Sequence, residues 1–530
     1  MKKELLSGNE AIARGAYEAG IAMAVSYPGT PATEILEYLA AGFPVEAQWT
    51  TNEKVALETA IGVSYTGRRA LCSMKHVGLN VAADPLMTAA YLGIRGGLVL
   101  VVADDPGAYS SQNEQDSRFY ARFARIPCLE PADAAQAHLM VREAFELSEK
   151  ISRPVMLRSV TRLSHGRSPV EIGAPRSPAP PDLKKDPARM IAVPSHVLAA
   201  HRDLLKQQPA IIEWGKGSGF NRIEKSAGQR RGVIACGVGA AYARETLGED
   251  CALLQVGFYP LEPGLIKEFG EGLEEIWVVE EGEPLVEEMA RCSFRNVRGK
   301  LSGDLPPVGE LGPEPLAAIQ KKEKPLSTPA TSSPLPSRPP VMCAGCPHRE
   351  LYLALKAAGP SFTAGDIGCY TLGASPPLSA LDTCLCMGAG ISQAAGIAHQ
   401  GIRRVAAVIG DSTFIHSGIP ALIGSVYNRA NLLVLILDNA SVAMTGHQPT
   451  PQTGIRADGR PGGQVDLEAI CRACGVDSVT VLDPLRKEEM TRLLKEKLEA
   501  DGVHVVISRR PCVFVGRRAV RPENGGGNKT

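Results

Sequence analysis

One stretch constrains the fold more than any other: RRVAAVIGDSTFIHSGIPALIGSVYNRANLLVLILDNASVAMTGHQ, residues 403–448. VAAVI and LLVLIL are short, uninterrupted apolar runs, and a segment of helical periodicity lies between them. Strands that are apolar throughout belong to sheets buried on both faces, and parallel strands joined by a helix are the unit from which such sheets are built. The first run ends in Gly410-Asp411-Ser412 and the second in Asp438-Asn439. Polar residues are thereby placed at the carboxyl ends of neighbouring strands, where open α/β sheets keep their ligand sites.

The same alternation recurs along the chain. To about residue 175, GIAMAVSYPG, RALCSMK, GGLVLVVADDPG and RPVMLRSV read as strands between amphipathic helices, and from about 192 to 310 GVIACGVG, CALLQVG and EIWVVEEG do the same. The expected fold class is α/β, with several doubly wound parallel-sheet domains at 1–175, 192–310 and 341–515. A Pro-, Lys- and Arg-rich connector is expected at about 166–190, an extended Pro/Ser-rich linker at 311–340 and a disordered tail at 516–530. SYPGTPATEI (26–35) and VADDPGAYSSQNEQDSR (102–118) fall where strands of the first domain run out.

A chain of 530 residues is too long for one core. Its 57 basic and 57 acidic residues balance, which argues against nucleic-acid or membrane-surface partners. The start, MKKELLSGNEAIARG, has no apolar run behind its lysines, and the most apolar stretches are too short to span a bilayer. A cytoplasmic location is expected, where thirteen cysteines are candidates for metal or cofactor work rather than disulfides.

Two oxygen ligands, from Asp411 and Asn439, suit Mg2+, which takes few protein oxygens together with phosphate oxygens. Gly410 permits close approach of a diphosphate to the backbone, and the helix start after it offers N–H groups. The Gly-Asp-Ser start and Asp-Asn end enclose 25 residues between Ser412 and Asp438, an arrangement that resembles the thiamine diphosphate motif.

SYPGTPATEI, TNEKVALETAIGVSYTG, SMKHVGLNVAADP, SSQNEQDSR, CAGCPHR, GDIGCYTLG, GDSTFIHSGIPALI and MTGHQPTPQTG together resemble the large (alpha) subunits of the indolepyruvate ferredoxin oxidoreductases. These belong to the thiamine diphosphate-dependent 2-oxoacid:ferredoxin oxidoreductase superfamily, and the resemblance runs from Leu6 to about Cys512. It implies a pyrimidine-binding-type domain, a transketolase C-terminal-like domain and a diphosphate/Mg2+-binding domain, in that order. The implied activity is oxidative decarboxylation of an aryl 2-oxo acid to acyl-coenzyme A and CO2, with electrons passing through iron–sulfur to ferredoxin. The implied partners are a smaller beta subunit and a ferredoxin-like carrier, in a hetero-oligomer. A non-oxidative thiamine-dependent decarboxylase and a non-catalytic subunit are the alternatives.

By that resemblance, Glu53 is the acid beside the aminopyrimidine ring; a surface glutamate paired with Lys54 or Arg68 is the bland reading, and Glu58 a competitor. Thr30 matches a threonine that faces the substrate carboxylate, or is a helix N-cap ahead of Glu34. His76, His416 and His447 are candidates for proton handling. Asp411 and Asn439, with a carbonyl at Ser441, become Mg2+ ligands, and Gly365, Asp366, Met387, Gly388, Gly410, Ser412 and Thr445 line the cofactor site. The 110–118 loop shapes the substrate end or is a polar loop at a domain interface.

No C-x2-C-x2-C-x3-C-P run occurs in the sequence. The ferredoxin-like domain that commonly ends this family's large subunit is therefore expected to be missing. The wider superfamily's pattern instead implies a [4Fe-4S] cluster held by Cys343, Cys346, Cys369 and Cys512. Zinc shared by Cys343, Cys346, Cys384 and Cys386, or unligated thiols, are the alternatives. Cys471 and Cys474 read as helical core packing.

Overall fold

The computed structural model describes residues 2–246, 251–320 and 341–515; most of the expected linker, 321–340, and the tail 516–530 lie outside them. The chain divides into two compact units, residues 1–335 and 336–530.

In the first unit each of the apolar runs forms a strand. A seven-stranded sheet has the order Phe258–Tyr259, Cys128–Leu129, Val155–Val160, Leu98–Asp104, Ala70–Lys75, Met23–Ser26, Glu46–Trp49. Its neighbours are parallel except at the Phe258–Tyr259 edge. Leu98–Asp104 is buried at every position, which is why it reads as an unbroken apolar run. The order reverses at Met23–Ser26: the chain first adds Glu46–Trp49 on one side, then Ala70–Lys75 on the other. A crevice opens at such a reversal, outside the carboxyl ends of the strands.

The second α/β segment forms a five-stranded sheet, Val297–Arg298, Glu275–Val279, Arg231–Cys236, Cys251–Val256, Arg222–Glu224. It is not a free-standing domain. Phe258–Tyr259 pairs antiparallel with Cys128–Leu129 of the first sheet, and one apolar core runs from Val25 and Leu100 to Leu254 and Val278. Two linker expectations change as well. Arg167–Ile172, inside the expected connector, is a strand antiparallel to Lys2–Ser7, and its Val170 is buried. Pro313–Gln320, inside the expected 311–340 linker, is a helix, and Leu311 and Leu316 are buried beside Trp277. Isolated apolar residues within Pro-rich sequence anchor both segments.

A fully buried ionic network joins the two sheets of this unit. Arg118 binds Asp116 at 2.6 Å and Glu280 at 2.8 Å, and Arg158 binds Asp104 at 2.7 Å and also Glu130. The 110–118 loop thus divides: Asp116 and Arg118 serve the interface between the sheets, while Ser110 and Ser111 stay with the strand ends. Glu281 accepts from Leu311 N at 3.0 Å, but its other oxygen is buried and has no partner among the described residues. Burial pushes its carboxyl up to about 7. A carboxyl raised on folding contributes stability at low pH that is lost as pH rises through its folded value. Glu281→Gln keeps the Leu311 acceptor and removes that loss. Its stability advantage over the wild type should grow between pH 5 and pH 8, to roughly 1–3 kcal/mol. Denaturant unfolding of both proteins across that range checks this, and parallel curves would contradict it.

The second unit carries one parallel sheet, Phe362–Ala364, Val405–Gly410, Leu432–Asp438, Val503–Arg509, Ser478–Leu482. Cys471 is buried in the core and Cys474 packs against it, as the helical reading expects. Among the described residues no helix is long and apolar enough to cross a membrane.

Candidate active site

In the first unit, Glu53 opens the helix Glu53–Tyr65, which Asn52 caps by accepting from Val55 N at 2.9 Å. Glu53 is buried, not a surface glutamate; the exposed ion pair of this helix is Lys54–Glu58. Its carboxylate lies against Gly78, where an added Cβ would stand 2.4 Å from Glu53 Oε1. The glycine of KHVG therefore clears space for the acid.

Thr30 lies in the turn after Met23–Ser26. It does not cap the following helix, which begins at Thr33 after Ala32; Thr33 Oγ1 instead accepts from Gly29 N at 3.0 Å. His76 is buried, its Nε2 donating to the Asn113 carbonyl at 3.2 Å, and burial pushes its pKa down. It pins the 105–118 loop as a neutral imidazole. Beside it Lys75, which sequence reasoning passed over, is also buried.

In the second unit Asp411 follows the strand Val405–Gly410. Its Oδ1 accepts from Ser412 N at 2.7 Å, and its Oδ2 from Asn439 N at 3.2 Å and Ala440 N at 2.9 Å. The Gln452 amide donates to Asp411 and, at 3.0 Å, to Asp438. Burial, with the Asp438 charge, pushes Asp411 up to about 7 despite these donors. Two buried carboxylates crowding one neutral amide suit a divalent cation, and Asn439 supplies a further oxygen, now accepting from Ser441 N at 3.0 Å. A cavity of about 580 Å3 lies beside this turn, lined by Asp438, Ala440, Gln452, Gln464, Arg509 and Pro511.

The other expected positions have definite partners. Gly410 faces Tyr370, whose ring would be 2.6 Å from an added Cβ, so protein packing alone already requires glycine there. Asp366 accepts from Ile367 N at 2.8 Å and from Gly388 N and Gly390 N at 2.9 Å each, fixing the start of the helix Ala389–Ala398. Burial still pushes it up to about 6. Gly365 N donates to the Thr383 carbonyl at 2.8 Å. Thr445 donates to Gln448 within its own loop. His416 is buried in a π-helical turn, Phe414–Gly418, next to Ser417. His447 lies near Ser441, Nδ1 to Oγ at 3.4 Å.

Two more residues went unselected at the sequence level. His348, directly after the C-x2-C-P turn, is buried and accepts from Asn439 Nδ2 at 3.2 Å, and burial pushes it down to about 4. Gln452 bridges the two aspartates. Both sit inside quoted segments, but nothing in residue type or spacing distinguishes them there.

The other three cysteines of the expected cluster, Cys343, Cys346 and Cys512, act on Cys369 through their charge. Cys369 is pushed up to about 12 by burial and then by Cys346, Cys512, Asp411 and Cys343. Cys343 and Cys346 close a turn, carbonyl to N–H at 3.1 Å, and Cys512 N donates to the Asn439 carbonyl at 3.0 Å. Among the described residues no group of three or more His, Cys, Asp or Glu side chains closes around a single ion. Cys384 and Cys386 are exposed, and partial burial together with the Asp366 charge pushes both thiols up.

Two family models match the chain. The model described as "Thiamine pyrophosphate enzyme, C-terminal TPP binding domain" matches residues 366–508, and "Pyruvate flavodoxin/ferredoxin oxidoreductase, thiamine diP-bdg" matches residues 14–202. Fold and site together define a thiamine diphosphate-dependent enzyme. The chain is 41% identical to the indolepyruvate oxidoreductase subunit IorA of Archaeoglobus fulgidus, over 98% of this chain and 88% of that one. It is also 41% identical to the subunit of the same name from Pyrococcus abyssi, over 97% and 86%. A solved 2-oxoglutarate:ferredoxin oxidoreductase from Magnetococcus marinus shares 17% identity over 60% of this chain and 65% of that one, with a TM-score of 0.49. The chain belongs to the indolepyruvate oxidoreductase alpha-subunit family of thiamine diphosphate-dependent 2-oxoacid:ferredoxin oxidoreductases.

Proposed function

We propose that this chain, paired with a smaller beta subunit in a hetero-oligomer, oxidatively decarboxylates aryl 2-oxo acids of the indolepyruvate type. The products are acyl-coenzyme A and CO2, and electrons pass through a [4Fe-4S] cluster to a ferredoxin-like carrier. One observation supports the reading: Cys512 N donates to the Asn439 carbonyl at 3.0 Å, so the Cys512 loop and the turn proposed to bind the cation share one scaffold.

Thiamine diphosphate, when bound, supplies the thiazolium that accepts the electrons left by decarboxylation. The chain's residues do the rest. Asp411 and Asn439, with the Ser441 carbonyl, would hold Mg2+ and so fix the diphosphate. Glu53 offers a buried carboxylate that holds or returns a proton at the aminopyrimidine. His348 orients the Asn439 amide as a neutral imidazole, since protonation would set donor against donor. Thr30 and the 105–111 loop face the substrate end. Cys343, Cys346, Cys369 and Cys512 would hold the cluster. A cluster takes each thiolate at its own iron, and so accepts sulfurs spread more widely than a single ion does.

Anaerobic purification with the beta subunit, followed by iron, sulfide and thiamine quantification, tests this. Iron, sulfide and broad visible absorbance are expected in the wild type. Cys369→Ser should lose them and reduce no ferredoxin while still binding thiamine diphosphate. Aldehyde release without any electron acceptor, from a wild type devoid of iron, would replace this reading with a non-oxidative decarboxylase.

A further inference from the structure

We propose that Lys75 is the cation that receives the carboxylate of the 2-oxo acid, in the crevice where the strand order of the first sheet reverses. The inference rests on the function proposed above and deepens it by assigning a substrate contact.

Lys75 ends the strand Ala70–Lys75, the immediate neighbour of Met23–Ser26 across the reversal. Gly29, in the turn that carries Thr30, would place a Cβ 3.0 Å from the Lys75 Cβ, so the two strand ends face each other closely. Ser110 Oγ reaches the Thr30 carbonyl at 3.4 Å and closes the third side. Glu53 packs on Gly78, three residues beyond Lys75. The lysine therefore sits among the segments that carry the acid and the substrate-facing turn.

Its charge has no carboxylate partner. Lys75 is 7% exposed, and among the described residues it forms no ion pair. Nζ has three N–H groups. The Ser110 carbonyl takes one at 2.5 Å, and the Ser110 hydroxyl stands off at 3.4 Å. The acid that acts on it, Asp105, is already engaged: it accepts from Ser110 N at 2.8 Å, Ser110 Oγ at 3.1 Å, Ser111 Oγ at 2.5 Å and Thr161 Oγ1 at 2.8 Å. Asp105 thus shapes the loop and acts on the ammonium only through its charge, without a contact. A buried ammonium that touches no carboxylate, at a strand-order reversal, gains from an anion in direct contact. Burial brings Lys75 down to about 8, so it remains charged near neutrality. The other titratable neighbours are His76, held neutral by burial, and Asp104, which acts on His76 and binds Arg158.

The test uses the full chain with its beta subunit, as wild type, Lys75→Met and Lys75→Gln. The readouts are KM for an arylpyruvate, KM for coenzyme A and calorimetric Kd for thiamine diphosphate. Loss of one charge-assisted contact should raise the arylpyruvate KM roughly 10- to 100-fold. The other two constants should stay within about twofold, the size of ordinary surface-level effects. In the wild type the arylpyruvate KM should also rise above about pH 8, as Lys75 loses its proton, and that limb should vanish in Lys75→Met. An unchanged arylpyruvate KM, a raised coenzyme A KM, or lost thiamine binding in both variants overturns the assignment; the last two mark a phosphate contact and a structural role. If neither variant folds, the wild-type limb decides alone, and its absence is fatal. A wild-type complex that binds thiamine diphosphate but turns over no 2-oxo acid overturns the functional reading itself, and this inference with it.

Discussion

Glu53→Gln should lower turnover of 2-oxo acid by roughly 10²- to 10⁴-fold, the range lost with a positioned general acid–base group. Thiamine diphosphate affinity should change little, because the amide keeps the volume of the carboxylate and its place at the start of the helix. The slot that holds this side chain provides a second route to the same result. An alanine at 78 would drive its Cβ to 2.4 Å from Glu53 Oε1, so Gly78→Ala must displace the carboxylate without altering its chemistry. Both variants should therefore lose CO2 release, and calorimetry should still register the cofactor. If either retains more than about a tenth of wild-type turnover, the acid role assigned from that range moves elsewhere, with Glu58 the first candidate.

Asp411→Asn should weaken binding of thiamine diphosphate with Mg2+ by about 100-fold or more, as expected when a buried charged ligand is lost. The substitution preserves shape, and one oxygen can still accept from the 412 or 439–440 backbone N–H groups. What disappears is the charge. Asp411 and Asp438 repel each other in the cofactor-free protein, and a divalent cation converts that repulsion into attraction. Wild-type affinity should therefore climb steeply with added Mg2+, whereas the variant should respond weakly. Calorimetric titrations at several Mg2+ concentrations measure this, and equal Mg2+ dependence in the two proteins would remove Asp411 from the cation site.

Legibility in the sequence followed the length scale of each cause. Strands such as Leu98–Asp104 and Leu432–Asp438 were readable because burial on both faces leaves a local, continuous apolar signature. Asp411 and Asn439 were singled out by a motif whose spacing is itself the signal, and Glu53 by resemblance; all three are buried. Lys75, His348 and Gln452 were not singled out, since each matters through burial and partners brought from distant segments. The Phe258–Tyr259 pairing was hidden for the same reason: two residues carry no period, and their partner lies more than a hundred positions earlier. The linkers were misjudged where proline content outweighed single apolar anchors, Val170 in one and Leu311 and Leu316 in the other. Gly410 was read for an approaching diphosphate, yet Tyr370 already accounts for its lack of a side chain.

The two-residue splice of Phe258–Tyr259 onto the first sheet has a practical corollary for dissecting the protein. A cut at the proline-rich stretch near residue 180 looks natural on paper, but it would strip an edge strand from the amino-terminal fragment. It would also lay bare a core shared with Leu254 and Val278. Such fragments should aggregate. The serviceable scissor point is instead near residue 335, where the two compact units part.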